Sequence, residues 1–180
     1  MYNTKFHTDS LLNKSILVTG GAGFIGSNIV EYLLKYGVKK VTVLDNLTNG
    51  FRKNIEPWLS LPNFEFTEGD ITNADTCNKI CKGIDIITHQ AALGSVPRSI
   101  KDPLATHNSN ATGFINMLVA AKDAGVEKFI YASSSSVYGD SKASPKKESD
   151  LGKPLSPYAV SKLTNELYGN IFAHTYGMKT

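Results

Sequence analysis

Three glycines near the N-terminus constrain the fold of this chain more than any other feature. Gly20, Gly23 and Gly26 follow an apolar run at 15–19 that is typical of a buried strand, and they precede a segment of helical periodicity. The first glycine allows a tight turn, the second lets a ligand approach the backbone, and the third permits close packing of helix against strand. Because the helix N-terminus adds unpaired N–H groups and a partial positive charge, this turn predicts a pyrophosphate site.

The rest of the sequence alternates short apolar runs with longer segments of helical periodicity. Four further runs predict strands at 41–45, 64–66, 84–88 and 129–131. Apolar residues at helical spacing between them include Ile25, Ile29, Leu33, Ala111, Phe114, Leu118 and Ala121. This alternation indicates an α/β fold with a parallel sheet covered by helices on both faces. Right-handed crossovers then favour a doubly wound, Rossmann-like sheet whose ligands bind at the carboxyl ends of the strands.

Asp45 is the residue from which we predict the cofactor. It ends the second predicted strand about 20 residues after the glycine turn, where a carboxylate binds the ribose hydroxyls of a dinucleotide. Because a carboxylate also repels a 2′-phosphate, we predict NAD rather than NADP. Arg52 and Lys53 follow soon after and could weaken that preference, but we interpret them as solvated loop charges.

Composition is that of an ordinary folded protein. The 180 residues carry a formal net charge of +3, which is too balanced to predict nucleic acid or a membrane surface as a partner. No segment approaches the ~20 apolar residues that span a bilayer, and the N-terminus lacks the apolar stretch of a signal peptide, so we expect a cytoplasmic protein. Cys77 and Cys81 share a helix face without companion ligands, so we expect buried thiols and no metal site.

Motifs along nearly the whole chain resemble the extended short-chain dehydrogenase/reductases of the NAD-dependent epimerase/dehydratase family. The glycine turn has the two-residue first gap of that group. Further matches follow in the family's order: Gly69-Asp70-Ile71, His89-Gln90-Ala91-Ala92, Asn110 before Gly113, Ser134, Tyr138-Gly139, and Tyr158 with Lys162. The resemblance implies that NAD is bound by Gly20, Gly23, Phe24, Ile25, Gly26, Asp45, Asn46, Asp70, Ile71, Ala91, Ala92, Asn110, Tyr158 and Lys162.

Tyr158 and Lys162 are the predicted proton-transfer pair. Ser156 and Pro157 are typical of a helix start, so residues 158 and 162 share one face close to the helix N-terminus. An adjacent ammonium and a helix N-terminus favour the phenolate, which can take the proton of a sugar hydroxyl. Such a pair alone is more typical of an exposed helix face, and the glycine turn upstream reverses that interpretation. By family position, Ser134 completes the catalytic set by holding the reacting oxygen.

The residues around Ser134 favour epimerisation over elimination. Family dehydratases resemble each other in an acidic pair directly after the catalytic hydroxyl, whereas this chain has Ser135 and Ser136, which with Ser134 and Tyr158 are expected to face the sugar. The segment with Gly94 and Ser95 resembles UDP-N-acetylglucosamine 4-epimerases of bacterial surface-polysaccharide pathways. Gly94 is expected to leave room for the sugar and Ser95 to hydrogen-bond to it.

Three questions stay open in the sequence. Arg98 either reaches a phosphate or anchors its loop. The substrate is UDP-N-acetylglucosamine and its galacto epimer, or UDP-glucose/galactose, or a UDP-uronate. The chain is either half of an epimerase that is active only when complete, or an NAD-binding module without turnover.

The length of the chain leads to a last set of expectations. Family members are roughly twice as long, in keeping with a second domain that binds the substrate. We therefore expect 1–180 to be the NAD-binding domain, with a core at 14–180 and an N-terminal extension at 1–13, and the C-terminal substrate domain to be missing. In the full-length protein, the resemblance implies a homodimer formed through helices near 104–124 and 158–176.

Overall fold

A parallel β-sheet forms the centre of the computed structural model, which describes residues 3–8 and 10–180. Its strands are β1 (Ser15–Thr19), β2 (Lys40–Asp45), β3 (Phe64–Glu68), β4 (Ile86–His89) and β5 (Lys128–Tyr131). The strands are arranged in the order β3-β2-β1-β4-β5, and every neighbouring pair is parallel. Strands β2 and β3 are added on one side of β1, and β4 and β5 on the other. The loops after β1 and β4 therefore diverge and leave a crevice at the carboxyl edge of the sheet. The predicted doubly wound sheet is confirmed.

Six α-helices of the described residues connect and cover the strands. They are α1 (Phe24–Lys35), α2 (Ala74–Ile80), α3 (Val96–Lys101), α4 (Pro103–His107), α5 (Gly113–Asp123) and α6 (Pro157–Tyr176). A π-helical turn, Asn108–Thr112, joins α4 to α5, and short 3₁₀ turns lie at Arg52–Asn54, Glu56–Trp58 and Ser135–Tyr138. None of the described helices has the length and apolar character that crossing a membrane requires.

Two apolar cores, one on each face of the sheet, hold these layers together. Successive strand residues point to opposite faces, so Leu17 packs with α2, α5 and α6 while Val18 packs with α1. Phe114 and Phe129 are fully buried in the first core, where their ring centroids lie 5.7 Å apart. The predicted buried face of α5 is therefore confirmed. Both cysteines are buried in the same core, where burial raises the pKa of Cys77 to about 11 and that of Cys81 to about 12.

Two local predictions are wrong. Ile25 is 59% exposed, because α1 is rotated so that Gly26, Ser27, Val30 and Leu33 form its buried side. The fourth strand begins at Ile86 rather than at residue 84, since the N–H of Ile84 bonds to the carbonyl of Cys81 in the turn that ends α2.

The N-terminal extension packs mainly on α1. Phe6 is 75% exposed, and its ring centroid lies 6.2 Å from that of Tyr32. His7 Nδ1 lies 2.6 Å from the Tyr32 hydroxyl, which anchors this segment to the helix. Leu11 packs on the core beside α1, while Leu12 is largely exposed.

Candidate active site

A groove at the carboxyl edge of the sheet brings together the central residues of the predicted cofactor site. β1 lies between β2 and β4, so the turn after β1 forms the floor, and the loops after β2 and β4 form the two walls. The predicted residues that line the groove are Gly20, Gly23, Asp45, Asn46, Ile71, Ala91 and Ala92.

The glycine turn has the geometry that the sequence predicts. Gly20 has a φ of +68°, and a Cβ on it would lie 2.7 Å from the backbone nitrogen of Ala91. A Cβ on Gly26 would lie 2.1 Å from the carbonyl oxygen of Gly20, so any side chain there would push the helix away from the turn. Gly23 is the N-cap of α1 and provides no side chain to bond the first N–H groups of the helix. The turn is thus a cradle of bare backbone, which fits a pyrophosphate group.

Phe24 and Ile25 follow the turn in the first turn of α1. Their side chains are 84% and 59% exposed, so they do not form the groove wall. At these positions the backbone N–H groups of the first helical turn are available to bind a cofactor.

Asp45 is held rigidly in the groove wall. It is 8% exposed, its Oδ2 accepts a hydrogen bond from the N–H of Ala22 at 2.9 Å, and its Oδ1 accepts one from Leu47 at 2.8 Å. Each carboxylate oxygen has a second lone pair, so both can still accept a ribose hydroxyl. Arg52 and Lys53 lie over the rings of Phe66 and Phe51, 5.4 and 5.3 Å from the centroids.

Asp70 supports the groove from behind its wall. The Asn46 amide donates to Asp70 Oδ2 at 2.7 Å, and the N–H of Thr72 donates to Oδ1 at 2.8 Å. Burial alone would raise the pKa of Asp70, but these hydrogen bonds outweigh it and the pKa lies below its ordinary value. Asp70 is therefore an anion that fixes Asn46, while Asn46 itself lines the groove.

Asn110 connects the loop after β4 to α6. It is buried, its Oδ1 accepts from the N–H of Leu93 at 2.7 Å, and its Nδ2 donates to the Leu93 carbonyl and to the Ser161 hydroxyl at 3.1 and 3.2 Å. Leu93 lines the groove, whereas Asn110 lies behind it. Its geometry suits positioning of the loop rather than direct contact with a ligand.

His89 is a structural residue at the end of β4. Its Nδ1 lies 2.9 Å from Thr19 Oγ1, and its ring stacks on Phe129 at 5.7 Å. Burial, together with the charge of Lys162, lowers the pKa of His89 to about 3. It is neutral at physiological pH and ties the end of β4 to the end of β1.

Tyr158 and Lys162 lie on successive turns at the start of α6. The helix begins as predicted: the Ser156 hydroxyl accepts from the N–H of Ala159 at 3.1 Å, and Pro157 is the first helical residue. Lys162 is 6% exposed, and its Nζ donates to the carbonyl of Ala132 at 2.9 Å. Burial lowers the pKa of Lys162 to about 8, which leaves it mostly charged at neutral pH.

Ser134 lies two residues beyond the carbonyl that Lys162 bonds. Its hydroxyl accepts from the N–H of Ser136 at 3.1 Å and caps the 3₁₀ turn Ser135–Tyr138. Ser134 and Ser135 line a second cavity of about 410 Å³ together with Glu166, which accepts a hydrogen bond from Ser133. Sequence reasoning missed Glu166. It follows Lys162 by four residues, just as Lys162 follows Tyr158, and this spacing places all three on one face of the helix.

The profile of the NAD dependent epimerase/dehydratase family matches residues 16–180. The chain belongs to this family. As a family member it has NAD as its cofactor, as predicted, and solved relatives contain bound NAD.

Several relatives of the chain are named as enzymes of sugar nucleotides. The UDP-glucose 4-epimerase of Lacticaseibacillus casei is 39% identical over 92% of this chain and 49% of its own length. A UDP-N-acetylglucosamine 4-epimerase structure from Methanobrevibacter ruminantium M1, in complex with UDP-N-acetylmuramic acid, superposes with a TM-score of 0.86 at 40% identity, covering 92% of this chain and 52% of the other. The dTDP-glucose 4,6-dehydratase DesIV of Streptomyces venezuelae, with NAD and TYD bound, gives 0.86 at 38% identity, covering 91% and 53%. The chain thus spans about half the length of these relatives.

The loop after β4 of this epimerase/dehydratase chain carries the predicted sugar contacts. A Cβ at Gly94 would meet no atom within 4 Å, so Gly94 borders open space, and its role toward a sugar stays a prediction. The Ser95 hydroxyl accepts from the N–H of Arg98 at 3.3 Å and caps α3. Arg98 Nη1 donates to Asn49 Oδ1 at 2.9 Å, so in this structure Arg98 anchors its loop.

Several groove residues of this family member were missed from the sequence. Thr48, Asn49 and Gly50 extend the wall after β2, and Leu93 and Ser109 extend the opposite wall. A Cβ on Gly50 would lie 3.0 Å from Asp45 Oδ1, so a side chain there would crowd this loop against the carboxylate. The polar residues Thr48, Asn49 and Ser109 resemble any loop residues in the sequence alone.

Proposed function

We propose that this chain carries the NAD-binding and proton-transfer half of a UDP-sugar 4-epimerase. The observation that carries the proposal is the pair of Tyr158 and Lys162 on successive turns at the start of α6, with Lys162 fixed to the carbonyl of Ala132. That contact brings the pair to the loop of Ser134, at the edge of the sheet where the cofactor groove lies.

The proposed chemistry assigns one task to each of these residues. NAD, when bound, would supply a nicotinamide ring that takes a hydride from C4 of the sugar and returns it to the opposite face of C4 after the keto sugar has rotated. Tyr158 takes the proton of the 4-hydroxyl and later gives it back, and Ser134 holds the same oxygen. Lys162 keeps its charge at neutral pH, and that charge would stabilise the negative oxygen that forms during proton transfer.

The residues after Ser134 favour epimerisation over dehydration. Elimination of water needs an acid and a base beside the reacting carbons, and this chain has Ser135 and Ser136 where family dehydratases have an acidic pair. Glu166 lines the cavity that Ser134 and Ser135 also line, but its carboxylate accepts the hydrogen bond of Ser133. One relative is a dehydratase, so the serines rather than the overall similarity carry this choice.

UDP-N-acetylglucosamine and its galacto epimer are the proposed substrates, for use in surface polysaccharide synthesis. The open space at Gly94 and the relative that is a UDP-N-acetylglucosamine 4-epimerase support this choice. UDP-glucose/galactose is the alternative, supported by the UDP-glucose 4-epimerase among the relatives, and a UDP-uronate is a further one. The cytoplasmic location stays a prediction.

A comparison of sugars tests both the activity and the substrate. The intact protein is incubated with UDP-N-acetylglucosamine and, separately, with UDP-glucose, and the products are separated by chromatography. We expect the galacto epimer of the acetylated sugar to form faster, and Tyr158→Phe to abolish it. Equal or better use of UDP-glucose would overturn the substrate, and formation of a dehydrated product would overturn the reaction.

An NAD-binding module without turnover is the second proposal for the 180-residue chain by itself. The glycine turn and Asp45 line the groove, whereas the chain spans about half the length of its relatives. We assign substrate binding to the part of the relatives that this chain does not match. The proposal predicts that residues 1–180 bind NAD but form no product, and that a longer form of the protein forms product. Turnover by residues 1–180 would refute this second proposal.

A homodimer is proposed for the full-length protein. Apolar side chains on α3, α4 and α6 are exposed: Ile100, Leu104, Val160, Leu167 and Ile171 range from 52% to 75%. Because α4 packs against α6, these residues form a candidate interface. Sedimentation of the intact protein should give a dimer, and Leu167→Glu should give a monomer; a monomeric parent would refute the interface.

A further inference from the structure

The walls of the cofactor groove are joined by one side-chain pair that the proposed reaction does not use. Asn49 lies in the loop after β2 and lines the groove. Arg98 lies in α3, beyond the loop that forms the opposite wall, and its Nη1 donates to Asn49 Oδ1 at 2.9 Å. Since β2 and β4 flank β1, this hydrogen bond spans from one side of the glycine turn to the other.

The bridge joins two segments, which we call its arms: 46–49 after β2 and 94–98 after β4. Each arm contains one residue with an unusual backbone conformation. Leu47 has a φ of 57° and Ser95 has a φ of 117°, and they are the two non-glycine residues with positive φ in residues 3–8 and 10–180. They precede Asn49 and Arg98 by two and three residues. Such conformations persist only where the surroundings enforce them, and they concentrate at ligand clamps and switch regions.

Each arm has a local hydrogen bond of its own, and the Arg98–Asn49 hydrogen bond joins the two arms. Asp45 Oδ1 accepts from the N–H of Leu47 at 2.8 Å, and the Ser95 hydroxyl accepts from the N–H of Arg98 at 3.3 Å. Asn49 and Arg98 themselves are exposed, so water can replace their hydrogen bond without disturbing either core. The bridge can therefore open while the groove keeps its shape.

We propose that Arg98 and Asn49 form a clasp over the cofactor groove that slows the exchange of bound NAD. An epimerase that oxidises its substrate and reduces it again benefits from a cofactor that stays in place between the two steps. The inference rests on the proposed function, because it takes the groove as the NAD site of this chain. In the clasp, Arg98 is a positioning residue that acts through Asn49 rather than on the nucleotide.

A double-mutant cycle on cofactor release tests the clasp. NADH is bound to the intact protein, an excess of NAD is added, and the decay of NADH fluorescence gives the dissociation rate for the parent, Arg98→Ala, Asn49→Ala and the double variant. Loss of one solvent-exposed hydrogen bond predicts a rate increase of roughly 3- to 10-fold in each single variant. The double variant should dissociate no faster than the faster single one, because both substitutions break the same contact.

Lys101→Ala is the matched control, since it removes an exposed cation from the same short helix without touching Asn49. Its dissociation rate should equal that of the parent. Multiplication of the two single effects in the double variant would overturn the clasp, because it would mean that Arg98 and Asn49 each contact the nucleotide separately. Unchanged release in both single variants would also overturn it. Failure of the parent to bind NADH would overturn the proposed cofactor groove itself, and the clasp with it.

Discussion

Replacing Lys162 with methionine should remove a penalty on folding that depends on pH. Lys162 is buried, and burial lowers its pKa from 10.5 to about 8. Below pH 8 the lysine is charged in both the folded and the unfolded chain, so the whole cost of burying the charge is present. Between pH 8 and pH 10.5 the folded chain releases the proton first, so the parent gains stability as the pH rises.

The size of this effect follows from the two pKa values. The difference between 10.5 and about 8 corresponds to roughly 3 kcal/mol once the pH exceeds both values. At pH 9 only part of it is recovered, and the linkage relation gives roughly 1 kcal/mol relative to pH 7. Lys162 contributes to the lowered pKa of His89, but burial is the larger cause, so folded His89 stays neutral between pH 7 and pH 9 in both proteins. The ionisable groups that the two proteins share therefore largely cancel in the difference between them over this range.

Urea unfolding at pH 7 and pH 9 measures this difference. We expect the free energy of unfolding of the parent, minus that of Lys162→Met, to increase by roughly 1 kcal/mol over this range. Lys101→Met is the control, because Lys101 is exposed, and its difference from the parent should stay the same at both pH values. A difference that is constant for Lys162→Met, or that decreases with pH, would refute the reasoning that Lys162 is a desolvated cation.

Three further predictions concern the groove and the catalytic pair. Tyr158→Phe should still bind NAD but lower turnover roughly 10²- to 10⁴-fold in the intact protein, and substantial residual activity would indicate another base. Asp45→Ala should weaken NAD binding roughly 10-fold in a fluorescence titration, because it removes the acceptors for the ribose hydroxyls; unchanged affinity would contradict that role. Gly20→Ala should destabilise the fold by roughly 1–3 kcal/mol in urea unfolding, since its φ is +68° and its Cβ would lie 2.7 Å from Ala91; a neutral result would show that the turn can relax.

Local rules explain why the sequence predicts so much of this fold. The glycine turn, the end of β2 at Asp45, and the start of α6 at Ser156 depend on residues close together in the chain, and each agrees with the structure. The parallel order of the strands follows from the alternation of strands and helices together with the handedness of crossovers.

The parts that the sequence does not predict depend on contacts between distant segments. Arg98 and Asn49 are 49 positions apart and exposed, so neither hydrophobic pattern nor local spacing marks them as partners. The exposure of Ile25 depends on how α1 is rotated against the sheet, which the close approach of Gly26 to Gly20 fixes. The place of Asn110 behind the groove follows from its bonds to Leu93 and Ser161, which lie on two other segments.

The fate of the hydrogen at C4 tests the central claim most directly. The intact protein is incubated with UDP-N-acetylglucosamine in D₂O, and the epimerised product is examined by NMR and mass spectrometry. If Tyr158 exchanges only the hydroxyl proton, the hydrogen on C4 returns to the same sugar, and the product carries no deuterium on carbon. Deuterium at C4 would show that a base removes the carbon-bound hydrogen as a proton, and it would contradict the proposed mechanism.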